Sequence, residues 1–143
     1  MSVVHWICKG IGVRSSEVYP FLNQKKCLAE LKKLLPDDED VQNINIEFDD
    51  FDINDFMHGE PYMYLGHFLS QLDTSMLLSY GEADNESFCY YSPRYPWDIS
   101  ENDPKSLSEA RALVKNVIRK VCDIDNERLE KLIDDDIYEY GCG

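Results

Sequence analysis

The sequence predicts an α+β fold: a single domain spanning 1–143, with a four- to five-stranded, mainly antiparallel sheet and about three to four helices packed mainly on one face. Three observations lead there. Apolar residues recur at three- and four-residue spacing over 24–35, 61–72 and 106–122, the period of an amphipathic helix. Runs of β-branched and aromatic residues, bounded by glycine and polar residues, mark strands near 3–13, 43–49, 75–81, 87–92 and 137–140. Both kinds of element carry one apolar side, and each needs the other to bury it. No repeat and no Gly/Ser or Pro linker divides the chain.

Val3 to Val13 reads as a strand with a turn inside it, punctuated by Gly10 and Gly12. This pair is no nucleotide fingerprint, because Ser15 stands at the third glycine position. The helix from Asn23 or Gln24 to Leu35 carries Cys27, Leu28, Leu31, Leu34 and Leu35 on one side, and Pro36 ends it. From Asn43 to Asp49 the pattern alternates. Ile44, Ile46 and Phe48 are expected to face inward, with Glu47 and Asp49 outward. The alternation slips at Phe51 and Ile53, so a bulge is expected near Asp49 and Asp50.

A short helical turn at 54–58 is expected to stop at Gly59. Pro61 then suits the first turn of a helix reaching Leu72, with Tyr62, Leu65, Phe68, Leu69 and Leu72 as its stripe. Two strands, 75–81 and 87–92, make a hairpin through the polar turn 82–86. Residues 93–104 form an irregular loop. Ser106 and Glu109 compose a capping box for a helix running to about Cys122, with Leu107, Ala110, Val114, Val117, Ile118 and Val121 inward. Asp125 caps a short last helix, and 137–140 closes as a strand beside the first.

Five cysteines, Cys8, Cys27, Cys89, Cys122 and Cys142, are scattered without a paired motif. Small buried thiols in a reducing compartment explain them, and a structural zinc does not. His5 and Cys8 form only half of a zinc motif, which Cys142 completes if the termini pair. The start of the chain lacks the basic and long apolar regions of a signal peptide. No stretch approaches the ~20 apolar residues of a membrane span. A cytoplasmic protein is expected.

The placement of charge carries the functional expectation. The net charge is −14, from 14 bases and 28 acids. Between Lys33 and Arg94 there is no Lys or Arg, yet fourteen acids lie there. The other fourteen acids are matched by the fourteen bases, so the whole net charge belongs to one segment of about sixty residues. Solubility alone is served by scattered acids, and a solvated face ordinarily mixes signs. Concentrated like charge costs stability through self-repulsion, and such local conflict is expected where function demands it.

The motifs of catalysis fail one by one. Asp50, Asp52 and Asn54 open like a calcium loop, but its sixth place holds Asp55 and its twelfth Pro61. His58 and Glu60 have the H-x-E spacing of zinc deaminases without the following P-C-x-x-C. No G-x-S-x-G, P-loop or H-E-x-x-H occurs. No catalytic residue, cofactor or metal is assigned. The expectation is a binding protein, not an enzyme. It would occupy the basic surface of a nucleic-acid-binding protein or nuclease and would bind neither nucleic acid nor membrane. Carboxylates on a rigid face stand in for phosphates, which in B-DNA supply about one charge per 1.7 Å of axis. Inhibitors of nucleases, restriction systems or CRISPR effectors share this physics, as do immunity proteins of nuclease toxins.

The residues expected to meet the partner are Glu47, Asp49, Asp50, Asp52, Asp55, Glu60, Glu82, Asp84 and Glu86. Tyr91, Arg94, Tyr95 and Trp97, from the aromatic run at the end of the segment, join them as residue types enriched at binding hot spots. The competing expectation is an adaptor that binds through that aromatic patch, with the acids serving solubility. An enzyme with an unrecognised carboxylate or metal site is the third.

Overall fold

The computed structural model describes residues 5–92, 97 and 99–142, with 5–9 and 137–142 as backbone only. Its strands are β1 (His5–Arg14), β2 (Ser79–Ala83), β3 (Glu86–Tyr91) and β4 (Asp134–Cys142). They form one antiparallel sheet in the order β2-β3-β1-β4. The helices are α1 (Ser15–Val18), α2 (Gln24–Leu34), α3 (Glu39–Gln42), α4 (Pro61–Gln71), α5 (Leu107–Val121) and α6 (Asn126–Leu132), with 3-10 turns at Tyr19–Phe21 and Ile53–Phe56. The α+β architecture is the expected one. The six helices among the described residues slightly exceed the expected three to four; four are longer, and α1 and α3 are single turns. No helix among the described residues is long and apolar enough to cross a membrane.

The helix ends follow their capping chemistry. The Asn23 side chain accepts from the Lys26 amide at α2, and Asp125 accepts from Arg128 at α6. At α5, Ser106 accepts from the Glu109 amide, but the Glu109 carboxylate reaches back to the Lys105 amide, one residue before the usual capping-box partner. The α5 stripe is buried from Ala110 to Val121, whereas Leu107, expected inward, is half exposed in the first turn. In α4 the stripe Leu65, Phe68, Leu69 and Leu72 is buried. Tyr62 is the exception and packs edge-on against Tyr19.

The register of β1 on β3 sets the two faces of the sheet. Val13 lies opposite Cys89 and Ile11 opposite Tyr91, and all four join the cluster that holds the helices. Phe88 and Tyr90 alternate with these and form a separate small cluster with Ala83 on the other face. The predicted turn inside the first strand is absent. Gly10 and Gly12 instead sit within a continuous strand that shifts register between them. A Cβ at Gly12 would meet the backbone of Cys89 and Tyr90, so the glycines permit close approach of β3. β1 pairs with β4 as far as His5 opposite Cys142, so the chain ends pair as expected.

The largest departure is at 43–49, where no strand forms. Asn45 Oδ1 accepts from the Glu47 amide, Asp49 Oδ2 from the Asn45 amide, and the Asn45 carbonyl from the Phe48 and Asp49 amides. These local bonds fold the segment into turns. Ile44 and Ile46 are half-buried, and Phe48, expected inward, is 84% exposed. The expected bulge at Asp49 and Asp50 has no sheet to interrupt.

Candidate functional site

The acidic segment 37–60 is laid along the outside of α2. Gln42 donates to the Lys32 and Leu35 carbonyls at one end of that helix. From the same last turn, Lys32 Nζ donates to the Ile44 carbonyl at 2.7 Å. At the other end the Ile53 amide donates to Gln24 Oε1 at 2.8 Å. Residues 42–53 therefore run antiparallel to α2 for that helix's length, about 16 Å for eleven residues, and 53–57 return beside Leu31, Leu34 and Leu35. Between it and α2 lies a groove of about 510 Å³ bordered by Lys25, Lys32, Asn43 and Asn45.

The acidic run continues onto the N-terminal end of α4. Asn54 Nδ2 donates to the Tyr19 hydroxyl at 2.7 Å, and Tyr19 packs on Tyr62 in the first turn of α4. The buried Ser87 hydroxyl donates to the Tyr62 carbonyl and accepts from the Gly66 amide, bridging a helical amide–carbonyl pair. A serine hydroxyl has one proton, so Ser15, 2.8 Å away, is the donor to Ser87. Next to Ser87, the Glu86 carboxylate accepts from the Ser16 hydroxyl and amide. Glu60, Glu86 and the 52–55 turn are thus gathered around α1 and the start of α4. The hairpin turn is Asp84–Asn85, with both residues at positive φ, and Asp84 is exposed at its tip.

Of the residues expected to bind, Glu47, Asp49, Asp50, Asp52, Asp55, Glu60, Glu82 and Asp84 are exposed and Glu86 is half-buried. Several acids of the segment, the expected Asp49 and Asp52 among them, also hold the backbone. Asp38 accepts from the Val41 amide, Asp49 from Asn45 and Asp52 from Asn54. Asp73 is buried and accepts from four donors between Ser75 and Leu78. Tyr91 is removed from the list: it is 6% exposed, and its hydroxyl donates to Asp103 within the fold. Trp97 is 78% exposed. Arg94 and Tyr95 lie outside the described residues.

Ion pairing separates the segment from the rest of the molecule. Elsewhere, among the described residues, many acids are paired: Asp134 with Arg14 at 2.8 Å, Asp123 with Lys26 at 3.0 Å, Glu30 with Lys33 at 3.2 Å, and Glu130 with Arg111 and Lys115. Arg14 holds the Asp134 carboxyl below the usual carboxylate range, through a hydrogen bond and its charge. Among the described residues, the carboxylates of Asp37, Glu39, Asp40, Glu47, Asp50, Asp55, Glu60 and Asp84 make neither an ion pair nor a hydrogen bond. The sequence count missed Arg14, which β1 carries to within electrostatic range of Glu86 and Glu17. It also missed an aromatic cleft. The signal for that was Tyr64, an aromatic residue off the inward stripe of α4.

The described thiols Cys27, Cys89 and Cys122 are free and buried. Burial pushes the Cys27 and Cys122 thiols up to about 12, which leaves them protonated and poor ligands or nucleophiles. No group of three or more His, Cys, Asp or Glu side chains placed to hold a metal occurs among the described residues. No protein-family model, curated protein or solved structure matches the chain.

Proposed function

We propose that the chain is an acidic binding protein whose row of carboxylates docks on the basic, nucleic-acid-binding surface of another protein, such as a nuclease, and so blocks it. The observation that carries this reading is the contrast in pairing. Among the described residues, seven acids outside 34–93 form ion pairs (Glu30, Asp123, Asp125, Glu127, Glu130, Asp134 and Asp135), while Glu47, Asp50, Asp55 and Glu60, along α2 and at the start of α4, are exposed without one. A surface left unneutralised in this way attracts a cationic partner and steers its approach. It repels nucleic acid and anionic lipid for the same reason.

The test is affinity capture from the native host at low and high salt, repeated with Glu47→Lys, Asp50→Lys, Asp55→Lys and Glu60→Lys combined. These four carboxylates hold no backbone group, so the substitutions leave the turns at Asp49 and Asp52 in place. A basic protein should be retained at low salt, released as salt rises, competed off by heparin, and lost with the variant. A partner kept by the variant and at 1 M salt overturns the reading. That result would favour apolar docking, for which exposed Trp97, Ile99 and Leu107 offer a surface.

A further inference from the structure

We propose that the cleft between α2, the 53–56 turn and α4 receives one large apolar side chain, presented by a segment of the partner that is otherwise rich in Lys and Arg. The proposal rests on the reading that a basic protein meets the acidic face, and it names the anchor of that encounter. The cleft holds about 190 Å³. A cavity of about 150 Å³ admits a benzene ring, so one aromatic or leucine side chain fills it. Its floor is the buried core side chains Ile53, Met57 and Phe68. Its walls are Leu35, Phe56 and Tyr64, which are 38%, 41% and 39% exposed. The walls are already held: Phe56 packs on Phe51 with ring centroids 5.9 Å apart, and Tyr64 on His58 at 5.2 Å.

Charge around the cleft selects the occupant. Asp55 adjoins Phe56, Asp37 and Asp38 follow Leu35 by two and three residues, and Glu60 opens α4. The α4 helix has no Lys or Arg. Of the lysines at the end of α2, Lys32 is engaged by the Ile44 carbonyl and Lys33 by Glu30. An apolar anchor carried among cations therefore meets apolar walls inside and carboxylates outside, the arrangement of a hot spot with a polar rim. A second copy of this chain would bring its own acids against these, and like charges at close quarters oppose that association.

The test uses fluorescein-labelled helical peptides of Lys and Ala bearing one central Trp, the same peptide with Trp→Ala, and one with Lys→Gln that keeps Trp. Anisotropy gives affinities, and amide chemical shifts map the contact. The basic Trp peptide should bind at least about tenfold more tightly than either companion. Its shifts should centre on Phe56 and Tyr64, and Tyr64→Ala or Leu35→Ala should erase its advantage. The shift map needs no variant, so it decides even where a truncation perturbs the fold. Equal binding of the two basic peptides, with shifts spread over the acids, overturns the cleft and leaves the acidic reading standing. Failure of every basic peptide at low salt overturns both. Tight binding of the Lys→Gln peptide overturns the partner chemistry. So does a concentration-dependent dimer that Tyr64→Ala dissolves, which would place a second copy in the cleft.

Discussion

The carboxylate of Asp73 accepts from the Ser75 amide and hydroxyl at 3.1 and 2.5 Å, and from the Leu77 and Leu78 amides at 2.8 and 2.9 Å. Burial pushes this carboxyl up, but the hydrogen bonds together outweigh burial and hold it below the usual carboxylate range. Asp73→Asn should destabilise the protein by roughly 2 kcal/mol at neutral pH, because the amide nitrogen turns a donor toward donors in a buried site. The sign with pH follows from the depressed value. The stabilisation is fully present above the unfolded pKa of about 3.9 and is lost as pH falls through the lower folded value. Urea midpoints of the two proteins, well apart at pH 7, should converge toward pH 2. A constant separation would show that the charge on Asp73 does not matter. The Asp84–Asn85 turn offers a residue change of the opposite sign. With φ of 55° and 64° it is a two-residue hairpin loop of the primed kind, which favours glycine at its second position. Asn85→Gly should raise stability by about 0.5 kcal/mol, read as a higher urea midpoint with an unchanged slope.

At the scale of elements, α4 docks on β3 through Gly66, where an added Cβ would lie 2.8 Å from the N, C and O atoms of Phe88. Helix propensity alone predicts that Gly66→Ala gains about 1 kcal/mol. The obstruction is backbone in a central strand, which cannot swing aside as a side-chain tip would, and overpacking costs about 1–3 kcal/mol or more. Packing should win. Gly66→Ala should lower the thermal midpoint, and a raised midpoint would mean that α4 shifts freely on the sheet. The long helices were legible to within a residue or two, because apolar spacing, Asn23, Ser106 and Asp125 as caps, and Pro36 as a stop all agree on one answer. The strand pairing of the two chain ends was legible from their β-branched and aromatic runs. The 43–49 segment was misread because its alternation competed with the hydrogen-bonding side chains of Asn45 and Asp49, and no neighbouring strand was present to reward an extended chain. The acidic row itself was legible from counting charge. Its path along α2 was not, since the contacts that lay it there, from Gln24, Lys32 and Gln42, come from polar side chains with no periodic signature.

For the whole molecule, the net charge of −14 and its concentration in one segment of the chain predict a measurable cost in the absence of any partner. Ten acids lie from Asp37 to Glu60, and four of them, Glu47, Asp49, Asp50 and Asp52, fall in the stretch laid along α2, about 16 Å. At 0.01 M salt the Debye length is about 30 Å, longer than the row, so every carboxylate feels the others. At 1 M it is about 3 Å, and only immediate neighbours interact. The unfolded chain spreads these charges, so repulsion weighs more on the folded state, and screening should stabilise it. The thermal midpoint should therefore rise with sodium chloride from 0.01 to 0.5 M. Glu47→Gln, Asp50→Asn and Asp55→Asn combined should raise the low-salt midpoint and flatten that rise, since none of the three holds a backbone group. Control substitutions Glu127→Gln and Asp135→Asn remove acids that face Lys131 and Arg111, and should leave the midpoint unchanged or lower it. A salt response that the triple variant leaves untouched would mean that the row is already neutralised within the fold. The case for a surface held ready for a basic partner would then lose its physical basis.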